Sequence, residues 1–239
     1  MSKIAVISDI HGNIPALDAV LKDIMSRDIE KIFCLGDLAG KGPGSAEAVD
    51  LTRKHCHAVV KGNWDYFLTE KSAEILLWHQ DRLGEERLNY MKGLPIYIEF
   101  YMSGKLIRLC HASPHDLFFR VYLHSRNEDK IKLFMPTATL DEEADVIGYG
   151  DMHVANIDSF DGKIIFNTGS VGNPFDMPQA SYAVIEGDFG SKEPSPFAVS
   201  LIRVPYDIEK AAGDALESDM PEKHEYINEI RTAIKRPCK

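Results

Sequence analysis

Five short polar motifs stand directly after five apolar segments, and this arrangement constrains the fold of the chain more than any other feature. The motifs are Asp9-Ile10-His11, Gly36-Asp37, Gly62-Asn63, His111 and Gly150-Asp151-Met152-His153. The segments before them have the length and composition of buried strands. Ligands of open α/β sheets bind beyond the carboxyl ends of the strands. We therefore expect the motifs to meet at one edge of one sheet.

The first part of the chain alternates between strand and helix patterns. Strands are predicted at Lys3–Ser8, Lys31–Leu35 and His57–Lys61, and helices after the predicted N-cap Asn13 and near Ser45–Lys54. This order is typical of a parallel α/β sheet. Further helices are predicted at residues 72–92 and 127–134, and further strands at 96–101, 105–110, 144–149, 155–160, 163–167, 181–186 and 197–204. Without a linker or repeat, we expect a single domain over residues 1–239, with a C-terminal helical extension from about 207.

The net charge of −10 limits the partners of this chain. Long nucleic acids are held mainly by lysine and arginine, so we expect no long nucleic acid partner. A small phosphorylated substrate remains compatible, because bound cations reverse the local field. No apolar run approaches the roughly 18 residues of a membrane helix, and the N-terminus does not resemble a signal peptide. We expect no membrane partner and a cytoplasmic location. The oligomeric state stays open, a homo-oligomer being one alternative.

The residue types in the five motifs indicate metal binding. A lone Asp-X-His or Gly-Asp is usually a loop or a helix cap, but the ordered set is far less expected by chance. Mixed oxygen and imidazole donors suit Mn²⁺, Fe or Zn²⁺ better than Ca²⁺ or Mg²⁺ alone. The four cysteines lack metal-site spacing, and Cys34 and Cys110 lie in apolar runs that predict inert core residues.

The ordered motifs resemble those of the calcineurin-like metallophosphoesterases, from residue 3 to about residue 187. The stretch Asn167-Thr168-Gly169-Ser170-Val171-Gly172 is also similar to an Asn-Pro-Gly-Ser-Val-Gly stretch in the small bacterial and archaeal phosphodiesterases of that family. The resemblance implies an α/β fold of four layers, an α-β-β-α sandwich of two mixed sheets flanked by helices. The later strands would supply the second sheet.

The resemblance also implies a centre of two metal ions. Asp9, His11 and His153 would hold one ion, Asn63, His111 and Asp151 the other, and Asp37 would bridge them. We expect manganese or iron, with zinc or nickel as alternatives. A hydroxide shared by the metals would attack phosphorus, and Asn63 and His111 would act catalytically by facing the phosphate oxygens.

One departure from the family pattern lies at Trp64, where many members carry a histidine that protonates the leaving group. An indole cannot act as an acid at neutral pH, so substrates with good leaving groups are favoured. His115 is an alternative proton donor, or else a surface histidine. Trp64 either stacks on a nucleobase or packs beneath the site. Asn13, Trp64 and His115 are our predicted substrate-binding residues, and Arg120 and Arg126 are candidates for contact with a second phosphate.

The other departure is Asp151, where the family usually has a histidine. We expect Asp151 to remain a ligand and to shift the preference towards manganese or iron. The alternative is that it binds through water or not at all.

The function favoured by these features is hydrolysis of small phosphodiesters or nucleotides, dinucleoside polyphosphates among them. A phosphomonoesterase is the alternative enzyme. A degenerate family member acting as a binding scaffold is the non-enzymatic alternative, and the negative charge counts against a nuclease for long DNA.

Overall fold

Two five-stranded sheets form the centre of the fold in the computed structural model, which describes residues 1–235. The strands are β1 Ser2–Ile7, β2 Lys31–Cys34, β3 Ala58–Val59, β4 Tyr97–Met102, β5 Lys105–Cys110, β6 Val146–Tyr149, β7 Asn156–Phe160, β8 Lys163–Asn167, β9 Ala180–Gly187 and β10 Ala198–Val204. The helices are α1 Ile14–Ser26, α2 Ser45–His55, α3 Asn63–Glu70, α4 Glu74–Lys92, α5 Asn127–Lys130, α6 Ile208–Glu217 and α7 Lys223–Thr232. A 3₁₀ helix covers Ile131–Phe134.

The first sheet has the strand order β10-β9-β1-β2-β3. Strands β1, β2 and β3 are parallel, which confirms the parallel pairing predicted for these three strands from the strand–helix alternation. Strands β9 and β10 from the far end of the chain add antiparallel neighbours beside β1. The first sheet is therefore mixed, and the crossover helices α1 and α2 are those required by its parallel strands.

The second sheet has the order β4-β5-β6-β8-β7. Strands β4 and β5 form a hairpin that turns at Ser103–Gly104, and β7 and β8 form another that turns at Asp161–Gly162. Strands β5, β6 and β8 run parallel. The strands before His111 and before Gly150 thus lie in this sheet, whereas β1, β2 and β3 lie in the other. The expectation that all five motifs share one edge of one sheet is wrong, because the motifs converge from two stacked sheets.

Three apolar layers hold the sandwich together. Ile4, Val6 and Phe33 of the first sheet pack against Ile107 and other residues of the second sheet, forming the layer between the sheets. The outer face of the first sheet packs on α1, α2 and α4, and the outer face of the second packs on the 3₁₀ helix and its neighbouring segments. The structure therefore has the predicted four-layer α-β-β-α architecture.

Helix α3 is the main element that the sequence pattern did not indicate. It begins at Asn63, directly after Gly62, and it precedes the predicted helix around residues 72–92, which appears as α4. Only Leu68 among the apolar residues of α3 is fully buried, so the helix presents no clear apolar stripe. Its start nevertheless matters, since it places Asn63 at a helix N-terminus beside the other polar motifs.

The chain after β10 forms a helical pair. Helix α6 begins after the N-cap Asp207, and α6 and α7 pack on each other through an apolar cluster that includes Ala212, Tyr226 and Ile230. Helix α6 also contacts α1. No helix within residues 1–235 has the length and apolar character needed to cross a bilayer. Cys34 and Cys110 are buried as predicted, and Cys238 lies outside the described residues.

Candidate metal centre

The loops that follow β1, β2, β3, β5 and β6 bring the predicted ligands into one buried site. Its members are Asp9, His11, Asp37, Asn63, His111, Asp151 and His153, and none is more than 8% exposed. Seven polar side chains buried together need partners for their polar atoms. Polar atoms of the site that lack a hydrogen-bond partner therefore indicate what kind of ligand the site binds.

Five of these residues have an unusual backbone conformation. The angle φ is positive at Asp9, His11, Asp37, Asp151 and His153, between 51° and 61°. Residues other than glycine adopt this left-handed region at a steric cost, and such residues concentrate at functional sites. The surrounding loops enforce it. For example, the backbone N–H of Asp9 donates to the Gly36 carbonyl, and that of His11 donates to the Asp37 carbonyl.

Asp9, His11 and His153 form what we call the first position. The Nε2 atoms of His11 and His153 lie 3.2 Å apart, and Asp9 Oδ1 is 3.1 Å from His153 Nε2. Asp9 Oδ1 is buried and makes no hydrogen bond. One ligand atom from each of these residues and one from Asp37 all lie within 4.8 Å of one another. The donor atoms of the first position therefore face one another across a small space.

Backbone carbonyls orient two of the three histidine rings, those of His153 and His111. His153 Nδ1 donates to the Asn173 carbonyl, and His111 Nδ1 donates to the Leu35 carbonyl at 2.8 Å. A carbonyl oxygen can only accept, so the proton on each Nδ1 is assigned by chemistry. Each Nε2 is then the ring atom that faces the site. This is the arrangement in which protein histidines bind metals, with the second nitrogen anchored.

Asp37 lies between the two halves of the site. Its Oδ2 is 3.5 Å from His11 Nε2 and also 3.5 Å from His111 Nε2, while its Oδ1 accepts from the backbone N–H of Trp64. The backbone of Asp37 is held by Asp65, whose carboxylate accepts from the N–H groups of Asp37, Leu38 and Gly62. A methyl group at Gly62 would collide with the Asp37 carboxylate, so glycine is required there.

Asn63, His111 and Asp151 form the second position. Asn63 Nδ2 donates to Asp151 Oδ1, and His111 Nε2 lies 3.7 Å from the same oxygen. Arg120 also binds Asp151, with Nε on Oδ2 at 2.8 Å and Nη2 on Oδ1 at 3.1 Å. This bidentate pair joins a nearly buried carboxylate to a guanidinium side chain that is 43% exposed. The second position therefore already contains a cation that is bonded directly to one of its predicted ligands.

The charges in the site shift the pKa values of its members in opposite directions. Burial, with nearby Asp9 and Asp65, raises the pKa of Asp37 well above its usual range. Burial lowers the pKa of His111, but Asp37 and other carboxylates outweigh it, and the net pKa lies well above the ordinary value. Burial and then Lys41 hold the pKa of His11 well below normal.

One carboxylate at each position has a lowered pKa. Burial raises the pKa of Asp151, but His111 and Arg120 outweigh burial and lower it. Burial likewise acts upward on the pKa of Asp9, and His153 outweighs it, so the net shift is downward. The carboxylates of Asp9 and Asp151 are therefore held in their charged form and favour positive charge in the site.

The donor set fits divalent metal ions. His111 Nε2, like Asp9 Oδ1, is buried without a hydrogen-bond partner, since carboxylate oxygens 3.5 and 3.7 Å away are too distant. A buried donor atom left unpaired costs free energy unless something else binds it. A metal ion would satisfy these atoms and would replace the proton that the carboxylates draw to His111.

The three predicted substrate-binding residues occupy different environments. Asn13 is the N-cap of α1, as predicted, and its amide makes three hydrogen bonds, with the Ala16 N–H, the Gly172 carbonyl and the Tyr206 hydroxyl. Both of its amide N–H groups are therefore bonded within the protein, and its substrate contact stays a prediction.

Trp64 and His115 differ in exposure. The Trp64 ring packs on Gly40, and its centroid lies 5.9 Å from the His11 ring, edge on. This position agrees with packing beside the site, whereas base stacking stays a prediction. His115 is exposed in the loop after His111, and its proton-donating role also stays a prediction.

Several supporting residues were not singled out from the sequence. Asp65 and Asn173 belong to none of the five motifs, and Arg120 is predicted from the sequence only as a candidate phosphate contact. An acidic residue at the third position of a helix after glycine is a capping signal that would have drawn attention to Asp65. Arg120 and Asp151 are 31 residues apart in the sequence, so no local sequence pattern predicts that they pair.

Comparison with known proteins places these features in a family. A family model described as the calcineurin-like phosphoesterase superfamily domain matches residues 2–189. An uncharacterized protein of Methanocaldococcus jannaschii is 34% identical over 247 aligned residues, which cover 92% of this chain and 95% of that protein.

Two solved structures share the whole fold. The crystal structure of a metallophosphoesterase from Sphaerobacter thermophilus is 24% identical, with a TM-score of 0.78, and covers 98% of this chain and 99% of its own. A hypothetical protein from Pyrococcus horikoshii OT3 is 22% identical, with the same TM-score, and covers 99% of this chain and 100% of its own. Both extend over the C-terminal helices that the family model does not include.

Proposed function

The chain belongs to the calcineurin-like phosphoesterase superfamily, and from this premise we propose that it is a metal-dependent hydrolase of small phosphodiesters or nucleotides. Dinucleoside polyphosphates are included in that class. The observation that carries the proposal is the buried cluster of Asp9, His11, Asp37 and His153, whose ligand atoms lie within 4.8 Å of one another. Such a cluster has no purpose in packing, because buried unpaired polar atoms destabilise a core.

The positions of these residues suggest which metal ion each of them would bind. Asp9, His11 and His153 would hold one ion, Asn63, His111 and Asp151 another, and the carboxylate of Asp37 would serve both. Bound there, metal ions would polarise the phosphoryl group and lower the pKa of water. We propose manganese or iron, because Asp151 adds an oxygen donor beside the imidazoles.

The chain itself supplies rigidity. Asp65 fixes the loop of Asp37, and the Leu35 carbonyl fixes the ring of His111. Groups held in place before a substrate arrives need little reorganisation during the reaction. Asn63, at the N-terminus of α3, lies where a partial positive charge favours phosphate oxygens.

The leaving group is expected to be a good one. Trp64 stands directly after Asn63, and its indole cannot donate a proton at neutral pH. A phosphate or nucleotide leaving group needs less protonation than a simple alkoxide. We propose that Arg120 contacts a second phosphate of such a substrate, since its guanidinium is partly exposed and has further N–H groups beyond the two bonded to Asp151.

Hydrolysis of two model esters tests the substrate class. The metal-free protein is loaded with Mn²⁺ and assayed with bis-p-nitrophenyl phosphate and with p-nitrophenyl phosphate. We expect higher kcat/KM for the diester. Clear preference for the monoester would favour the phosphomonoesterase alternative. Absence of turnover with any added metal, in a protein that is folded, would favour a binding scaffold.

The variant Asp151→His tests the metal assignment. It restores the residue that the family usually has, and it removes the partner of Arg120. We expect a changed metal preference, with relatively less manganese or iron and more zinc retained after exposure to equal concentrations. Unchanged stoichiometry and preference would contradict direct ligation by Asp151.

A further inference from the structure

The C-terminal helices lie outside the matched family domain, yet they reach the metal centre. The family match ends at residue 189, and α7 covers Lys223–Thr232. One face of α7 is buried through Tyr226, Ile227 and Ile230, which pack with α6. The same helix also buries Glu229, which is 3% exposed. A carboxylate on an otherwise apolar face is unfavourable unless its oxygens are bonded, so its contacts are informative.

Glu229 binds the side chain of Asn173. Its Oε2 accepts from Asn173 Nδ2 at 3.2 Å, across 56 residues of chain. The other side-chain atom of Asn173, Oδ1, accepts from Lys41 Nζ at 2.9 Å. The backbone N–H of Asn173 donates to Ser170 Oγ at 2.8 Å. Asn173 is thus held from three directions, one of which is α7.

The carbonyl of Asn173 acts directly on the metal centre. It accepts the Nδ1–H of His153, and so it sets the ring orientation and leaves Nε2 towards Asp9 and His11. Phe175 stacks on the same ring, with 4.6 Å between centroids and 9° between planes. The position of Asn173 therefore decides where the ligand atom of His153 points.

We propose that α7 completes the metal centre, with Glu229 as a positioning residue that fixes His153 through Asn173. The inference rests on the proposed metal centre but not on its substrate. Partners that orient metal-bound histidines affect metal affinity nearly as strongly as some ligands, typically by about 10–100-fold. The extension would then tune the first position rather than merely cover the domain.

The test is metal affinity in the full chain, measured by equilibrium dialysis of Mn²⁺ against metal-free protein. In Glu229→Met the side-chain volume is nearly kept, but the acceptor for Asn173 is lost. We expect affinity at the first position to fall by about 10–100-fold. In Glu229→Gln an acceptor for Asn173 remains, and we expect most of the affinity to return. Glu225→Met on the same helix is the matched control and should leave affinity unchanged.

A double-mutant cycle separates positioning from general damage. Asn173→Ala should weaken binding by a similar factor, and adding Glu229→Met to it should have little further effect if Glu229 acts on His153 through Asn173, as proposed. The absorption spectrum of the Co²⁺-loaded protein should change in both variants and not in Glu225→Met. If Glu229→Met does not fold, Asn173→Ala carries the affinity test.

Two outcomes would overturn the proposal. One is unchanged affinity and an unchanged Co²⁺ spectrum in the folded variants. The other is an equal loss of affinity in Glu229→Gln and Glu229→Met, which would assign the effect to the charge of Glu229 instead of its hydrogen bond. Failure of the proposed hydrolytic function would appear separately, as absent turnover in a wild-type protein that binds metal.

Discussion

The two proposed metal positions differ in how far the chain completes each of them. At the first position, Asp9, His11 and His153 direct donor atoms towards one another, and no arginine or lysine bonds to these atoms among the described residues. At the second, Asp151 has both oxygens bonded to Arg120 and one also to Asn63. An ion arriving at the second position must compete with a cation already present.

Because of this difference, we expect similar donor atoms to give different metal affinities at the two positions. A guanidinium near a metal repels it, and two charges about 4 Å apart interact by roughly 4 kcal/mol at an effective dielectric constant near 20. Part of that repulsion is screened, because Arg120 is partly exposed. We expect the first position to bind its ion more tightly. Substitutions and changes of pH that act on one position or on both should separate the two, and their expected effects differ in size.

The largest effect is expected from Asp37→Ala, because Asp37 Oδ2 is equally distant from His11 and His111. The variant should weaken both positions together, by more than the roughly 10–100-fold typical of outer-shell partners, and should abolish turnover. Metal content after dialysis checks this. The exposed Asp18→Ala is the control. Retention of two ions by Asp37→Ala would mean that the positions are independent.

A pH titration of metal binding should separate the positions. The raised pKa of His111 means that an ion at the second position displaces a proton, whereas His11, with its lowered pKa, is already neutral. Affinity at the second position should fall by up to about tenfold per unit as pH drops below the raised pKa of His111. The first position should respond less steeply between pH 8 and 6. Parallel slopes would contradict this account.

Arg120→Ala should raise metal affinity at the second position by about tenfold and leave the first unchanged, because the competing cation is removed. Competitive titration with a chelator gives both constants. Arg126→Ala is the matched control, since Arg126 is 76% exposed and pairs with Glu128. Weaker binding in Arg120→Ala would show instead that Arg120 mainly orients Asp151.

The smallest effect is expected from His115→Ala. His115 is exposed, and the described contacts place its backbone, not its ring, in a hydrogen bond. We expect kcat for bis-p-nitrophenyl phosphate to stay within about twofold, as for surface substitutions away from a site. A large loss that is restored by a better leaving group would identify His115 as the proton donor.

Much of the fold and site could be predicted because it depends on local patterns. The β1–α1–β2–α2–β3 alternation and the positions of Asp9, Asp37 and Asn63 follow from apolar runs that end at polar residues. The assignment of His111 to a second sheet could not be derived that way. Strand pairing is long-range, and β5 and β6 show the same pattern as a strand of the first sheet would.

The sequence also did not predict that an arginine binds a ligand residue at only one of the two positions. Asp151 stood out as a departure, but its partner Arg120 lies in an irregular loop, where position is set by tertiary contacts. The same holds for Glu229 and Asn173, which meet only when α7 packs on the domain. Arg120, Glu229 and Asn173 belong to no sequence motif, because each acts by holding another side chain in place.

Titration of the metal-free protein with Mn²⁺ tests the central claim most directly. We expect two classes of site, each with one ion per chain, of which one binds its ion more tightly. His153→Ala should remove the tight class, and His111→Ala should remove the weak one. A single class of equal sites would contradict a centre in which the first position binds its ion tightly and Arg120 weakens binding at the second. Loss of the tight class in His111→Ala alone would contradict it as well.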